Sequence, residues 1–287
     1  MPAVAAGEAP GADFLHALTR RASAVAGGAA AAWAGNFVTL AQVGSTNLLA
    51  QRIAREYLAE GMAVPRAVLV AHRQTAGRGR HGHGWESGPG GAYVTLLTPD
   101  VLADELPTLP LLVPVALARV VDRWLGGDRR CEIQWPNDLL VGERKIAGVL
   151  IDGLGSEDAR AAVIGFGVNV EQDGEALAGI PGRRPATSVA LEGGSVPSLD
   201  QAVWELVVEV VSELDHTGDA PRAVELYQQR SRHRPGDRLR CRLAEETVEG
   251  EFLGFDRHGL LRLRLAAPGV GRQAGDELRL AAGELMP

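Results

Sequence analysis

The residues best placed to do chemistry lie between Gln74 and Trp85, a stretch reading Gln-Thr-Ala-Gly-Arg-Gly-Arg-His-Gly-His-Gly-Trp. Its glycines let backbone N–H groups approach a ligand closely, and its arginines offer planar forks of donors. Convergent amides with fixed positive charge suit a phosphate or a carboxylate. Arg73, Arg78 and Arg80 stand with His72, His81 and His83, and no carboxylate intervenes before Glu86. A flexible basic linker would have the same composition, so the reading depends on what else the chain carries. Ser45-Thr46-Asn47 follows a glycine and precedes a helical pattern, which puts short polar side chains at a helix N-terminus. Capping accounts for Ser45; Thr46 and Asn47 exceed what a cap needs. Lys145 sits on the returning arm of a hairpin a few residues after Asn137 and Asp138. There it can act as a point charge on an anion, helping most where charge grows in the transition state.

The elements that position these groups read as follows. Phe37 to Val43 alternates as a strand, and Leu49, Ile53 and Tyr57 mark a helix that Gly61 ends. Strands are expected over Ala67 to Val70 and Ala92 to Leu97, followed by a buried helix from Leu111 to Leu125 with Pro114 in its first turn. Glu132 to Trp135, then Leu139 to Val141 and Ile146 to Ile151 around Gly142, form short strands and a hairpin. Ala161 to Val170 is a further strand. Ser198 and Gln201 make a capping-box pattern ahead of a helix carrying Val203, Leu206, Val207, Val210 and Leu214, and helix recurs from Pro221 to Arg232. After Pro235, leucines alternate with arginines between glycine turns. That texture predicts a small β-barrel over 234–287 that leans on a main domain over 36–233. Residues 1–35, rich in alanine and glycine, read as poorly ordered or weakly docked, with only Phe14 to Leu18 hinting at helix.

Composition narrows the function. A chain of 287 residues with 46% hydrophobic content can bury a full core, and a net charge of −7 argues against coating nucleic acid. Cys131 and Cys241 match no metal or redox spacing and read as buried free thiols of a reducing compartment. No leader or membrane-span pattern is visible, so a cytoplasmic protein is expected. Gly165-Phe166-Gly167 lacks the full spacing of a dinucleotide fingerprint, and His81 with His83 lacks a third metal ligand, so no metal site is expected.

In order, Ser45-Thr46-Asn47, Gln74 with Gly77 to Gly82 and Trp85, Trp135-Pro136-Asn137-Asp138, Lys145-Ile146-Ala147-Gly148 and Gly165 to Asn169 resemble biotin protein ligase. The resemblance runs from Phe37 into the C-terminal segment. It implies an α+β fold: a mixed central sheet with flanking helices, class II synthetase-like or biotin–lipoate ligase-like, plus a C-terminal SH3-like β-barrel. It implies biotin and ATP as substrates, with Mg²⁺ whose ligands stay unassigned. The product biotinyl-adenylate would acylate a lysine on the biotin carboxyl carrier domain of an acyl-CoA carboxylase. Ser45, Thr46, Asn47 and Gln74 would hold biotin; Arg78, Gly79 and Arg80 would close over its carboxylate and the α-phosphate, with Lys145 at the reacting centre. Trp85, Asn137 and Asn169 would lie on the nucleotide side, and Asp138 would orient or deprotonate the acceptor lysine.

Two positions depart from the family pattern. Gln134 replaces the common lysine before Trp-Pro-Asn-Asp, and His81 and His83 stand where arginines are frequent. The chain resembles the monofunctional ligases without an N-terminal DNA-binding domain, expected as a monomer or weak homodimer without DNA or membrane partners. The alternatives are a lipoate or octanoate ligase of related fold, a ligand-sensing DNA-binding regulator, and a noncatalytic nucleotide-binding scaffold.

Overall fold

The computed structural model describes residues 11–286 except 25–27, 29, 100, 102–104, 156–159, 179–183, 197, 244–245 and 269–270. Alternating apolar runs between glycine breaks become β1 (Phe37–Val43), β2 (Ala67–Gln74), β3 (Gly91–Pro99), β4 (Glu132–Gln134), β5 (Asp138–Val141), β6 (Arg144–Gly155) and β7 (Arg160–Asn169). They form one seven-stranded sheet in the order β1-β2-β3-β7-β6-β5-β4. The β1–β2 pair is parallel and the others are antiparallel, which makes the sheet mixed.

The helices are α1 (Ala12–Ser23), α2 (Ala31–Ala34), α3 (Thr46–Ala59), α4 (Leu109–Leu125), α5 (Gly174–Leu177), α6 (Leu199–Leu214) and α7 (Ala220–Arg230). Side chains of a strand alternate between faces, so the sheet serves two cores. Val68, Val70, Val94, Leu96, Ile164 and Phe166 pack against α4 and α6 through Leu117, Val121, Val203, Leu206 and Val210. On the other face Leu69, Leu97 and Val163 meet Ala50 and Ala54 of α3. The two alanines let α3 lie close to the sheet, but the helix is too short to cover that face. The uncovered part is where the site forms.

The C-terminal segment is a separate antiparallel sheet of β8 (Arg238–Arg242), β9 (Thr247–Phe255), β10 (Leu261–Leu265), β11 (Glu277–Leu280) and β12 (Glu284–Met286), in the order β11-β10-β9-β8-β12. Among the described residues no pairing joins its edge strands β11 and β12 into a closed barrel. Its inward residues Leu239, Cys241, Phe252, Leu261 and Leu263 share a core with Leu111, Leu112, Ile133, Trp135 and Tyr227 of the main body. Each large side chain buried there contributes about 1.5–3 kcal/mol, so a sheet of marginal size is held by the body it leans on. Among the described residues no helix is long and apolar enough to cross a membrane.

Three expectations are corrected. The segment read as poorly ordered contains α1, which docks through the fully buried Leu18 and the nearly buried Ala22 and pairs Arg21 with Asp200 at the head of α6; residues 1–10 lie outside the described residues. Helix α4 begins at Leu109, with Pro110 in its first turn, so Pro114 falls inside the helix. The Leu-Pro-Thr turn over Leu106–Thr108 supplies the earlier start. The capping box does not form either: Ser198 makes no side-chain cap bond to the helix, and Gln201 donates to Glu205 at 2.9 Å. Asp200, held by Arg21, takes the Ser198 hydroxyl.

His233 lies at the junction of the two sheets, edge-on to Phe252 with 6.3 Å between ring centroids. Burial, helped by the charge of Arg232, pushes its pKa down from 6.5 to about 4. The unfolded chain therefore binds a proton that the folded protein rejects between these values, and stability rises with pH across that window. Thermal unfolding followed from pH 4 to 6.5 should show this rise, and His233→Gln should reduce its slope.

Candidate active site

Cross-strand register builds the floor of the site. Gln134, Asp138, Gly148, Gly167 and Tyr93 lie opposite one another in a row across β4, β5, β6, β7 and β3. The next row on the same face is Leu150, Gly165 and Thr95. Three glycines thus leave bare backbone in the middle of the sheet, and each lies beneath a side chain from elsewhere. A Cβ at Gly165 would collide with Asn47 Oδ1. At Gly167 it would stand 2.5 Å from Trp85 Nε1, and at Gly148 3.1 Å from the Trp85 ring. These glycines are needed for close approach.

One end of the trough is polar and buried. Ser45 caps α3, its Oγ accepting from Leu48 N at 3.5 Å, as its sequence position suggested. Thr46 donates through N and Oγ1 to Gln74 Oε1 at 2.8 and 3.1 Å. Thr95 Oγ1 donates to Asn47 Oδ1 at 2.6 Å and lies 2.8 Å from Thr46 Oγ1, while Asn47 Nδ2 donates to Leu150 O at 3.3 Å. Gln74 Nε2 reaches Ser87 Oγ at 2.9 Å, so both ends of its amide are engaged by the protein. Ser45, Thr46, Asn47, Ser87 and Thr95 are all buried. Buried polar groups are rigid when satisfied, and this network fixes the hydroxyl and amide groups that line the end of the cavity.

The glycine–arginine stretch is a tight hairpin. Ala76 N donates to Gly44 O at 2.8 Å, Gly79 N to His83 O at 2.8 Å and Trp85 N to Gly77 O at 2.9 Å, with an isolated bridge between Arg78 and Gly84. This folding turns the Trp85 indole onto the glycine floor, where its buried Nε1 has no partner among the described residues. Lys145 Nζ lies 2.7 Å from Asp138 Oδ1 and 5.2 Å from the centre of the Trp85 ring. Its backbone is clamped by the 185–187 segment, Lys145 N donating to Pro185 O and Thr187 N to Lys145 O, both at 2.9 Å. Arg80 is largely buried, and burial lowers its pKa while the nearby Asp138 carboxylate opposes the shift.

Every site residue expected from the sequence lines one cavity of about 430 Å³: Ser45, Thr46, Asn47, Gln74, Arg78, Gly79, Arg80, Trp85, Asn137, Asp138, Lys145 and Asn169. Their positions divide the work. Asn137 Nδ2 is committed to Val149 O at 2.5 Å, and Asn169 Nδ2 to Thr187 O at 2.8 Å. With Gln74 they hold the frame, whereas Arg78, Arg80, Lys145 and Trp85 present charge or ring faces to the cavity. Sequence reading missed Thr95 and Ser87, whose one signal was polarity beside or within an apolar strand. It also missed Gly283, Glu284 and Leu285, which the C-terminal sheet adds to the wall.

A chain with this mixed sheet and this cavity has known relatives. Residues 45–169 match the Biotin/lipoate A/B protein ligase family. The biotin–[acetyl-CoA-carboxylase] ligase of Paracoccus denitrificans is 33% identical over 239 residues, covering 82% of this chain and 95% of that protein. The Mycobacterium tuberculosis enzyme of the same name is 31% identical over 250 residues, covering 84% and 88%. The chain spans 67% and 66% of two Bacillus ligase/repressors, each 30% identical. Among solved structures, the biotin protein ligase of Aquifex aeolicus in complex with biotin and ATP superimposes with a TM-score of 0.60 at 22% identity, covering 88% of this chain and 97% of that one. The chain belongs to the biotin protein ligase family.

Gly165→Ala tests the floor directly. The added methyl must displace the Asn47 amide from its bonds to Thr95 and Leu150. Overpacking of this kind costs about 1–3 kcal/mol. Denaturant unfolding should show that loss, and a crystal structure of the variant should show Asn47 shifted.

Proposed function

We propose that this chain activates biotin with ATP and transfers it to a lysine of a biotin carboxyl carrier domain. A carboxylate oxygen of biotin attacks the α-phosphorus of ATP, the bond to the β,γ-phosphates breaks, and pyrophosphate leaves with the electron pair. The acceptor amine then attacks the acyl carbon of biotinyl-adenylate; a C–N bond forms, the C–O bond to the phosphate breaks, and AMP departs. The observation that carries this reading is the convergence, in one cavity, of a buried polar end and a cationic end separated by a glycine floor.

Ser45, Thr46 and Asn47 line the polar end of the cavity and supply hydroxyl and amide groups suited to the ureido ring. A ureido ring can exchange hydrogen bonds with such a polar lining and an apolar dithiolane cannot, which argues against lipoate. Biotin binding should therefore resist competition by lipoate. The carboxylate and α-phosphate are two anions that must meet, and Arg78, Arg80 and Lys145 offset their repulsion while the cavity holds them in line. Trp85 provides a flat face toward the nucleotide, and Asp138, bridged to Lys145, is the base for the acceptor lysine.

Among the described residues no cluster of His, Cys, Asp or Glu gathers at metal-binding distance, so Mg²⁺ would arrive on the ATP phosphates, as is usual for this ion. We place the catalytic unit at 36–233 and assign the C-terminal sheet, 234–287, to the SH3-like class in a cytoplasmic monomer or weak homodimer.

Incubation with biotin, MgATP and a carrier domain should give biotin-dependent pyrophosphate release and a labelled carrier; the absence of both would overturn the proposal. Lys145→Ala should slow pyrophosphate release by about 10²–10³-fold. Because the Lys145–Asp138 pair is partly exposed, the variant's stability should change by no more than about 1 kcal/mol.

A further inference from the structure

We propose that Gln134 is a second anchor for the acceptor lysine, its Oε1 and the Asp138 carboxylate together receiving the incoming amine. The inference rests on the carrier-directed function above. In β4, Ile133 and Trp135 face the core shared with the C-terminal sheet, so the alternation of the strand turns Gln134 to the cavity side. Register places it directly opposite Asp138. Its Oε1 is buried and, among the described residues, has no hydrogen-bond partner. A buried amide oxygen without a donor costs about 1–3 kcal/mol. In a cavity wall, such an atom marks where a ligand donor belongs.

The position selects the donor. Gln134 is four strands from Thr95 in the sheet order, about 19 Å at the usual strand spacing, too far to reach a ring held at the polar end by Thr46 and Asn47, which Thr95 supports. Of the cations at its own end, Lys145 is already paired with Asp138, and Arg80 lies near enough to feel the same carboxylate. An ammonium arriving beside them meets repulsion that one shared carboxylate only partly offsets, and a neutral acceptor oxygen adds attraction without adding a second base.

The proton balance is then simple. The ammonium loses one proton to the Asp138 carboxylate; the neutral amine, with one N–H donated to Gln134 Oε1, attacks the acyl carbon through its freed lone pair, and as the C–O bond to AMP breaks the nitrogen gives its second proton to the departing phosphate, leaving a neutral amide. Gln134 cannot take the proton itself, so it orients the amine without competing for it.

The test separates the two half-reactions. Pyrophosphate release without carrier measures activation; transfer from preformed biotinyl-adenylate to a carrier domain measures the second step. In Gln134→Leu the KM for carrier should rise about tenfold relative to the KM for ATP, the effect of one hydrogen bond of about 1.4 kcal/mol. Gln134→Glu, which keeps an acceptor oxygen, should recover most of the loss. In Gln134→Lys the acid limb of the transfer profile should move to lower pH, because a neighbouring cation favours the neutral amine. Equal losses in the Leu and Glu variants, or a rise confined to the KM for ATP, would overturn the assignment. Wild-type protein that released no pyrophosphate would instead sink the function on which it rests.

Discussion

Bare backbone in the centre of the main sheet is the constraint on which the site depends. Gly148, Gly165 and Gly167 occupy neighbouring positions on β6 and β7, and Asn47 and Trp85 lie where their side chains would have been. A helix start and a loop from opposite sides of the trough can therefore meet the same patch of sheet. With side chains on that floor, Asn47 could not reach Thr95 and the loop could not bring its indole down, so neither end of the cavity would exist in its present form. The glycines weaken the strands locally, and the apolar core beneath α4 and α6 offsets the loss.

Charge is arranged around that floor with the same economy. Lys145 is paired with Asp138 and Arg80 lies within the field of the same carboxylate, so two cations share one partly buried counter-charge. Desolvation opposes charged groups in such surroundings, and it lowers the pKa of the Arg80 guanidinium. An anionic reactant entering the cavity would relieve that cost. The indole beside Lys145 adds a favourable ring face without another charge.

Much of this was legible in the sequence where the signal was local. The cap at Ser45, the loop glycines, the hairpin at Gly142 and the alternation after Pro235 each announce an element through neighbouring residues alone. What escaped was set by distant partners. The reason for Gly165 and Gly167 lies in β3–β7 and β6–β7 register and in side chains many residues away. The capping box at Ser198 failed because Arg21, on α1, holds Asp200. The same ion pair helps dock a segment whose composition reads as loose. Thr95 is a lone polar residue in an apolar strand, and its bonds to Thr46 and Asn47 depend on α3 lying above it.

The wall formed by Gly283, Glu284 and Leu285 has a consequence for biosynthesis. Ribosomal synthesis delivers the polar end, from Ser45 to Thr95, long before the strand that borders the opposite side. Domains fold as units during emergence, so a nascent chain would carry the assembled polar end of the cavity beside an open flank. The shielded chamber comes into being only once β12 has paired with β8.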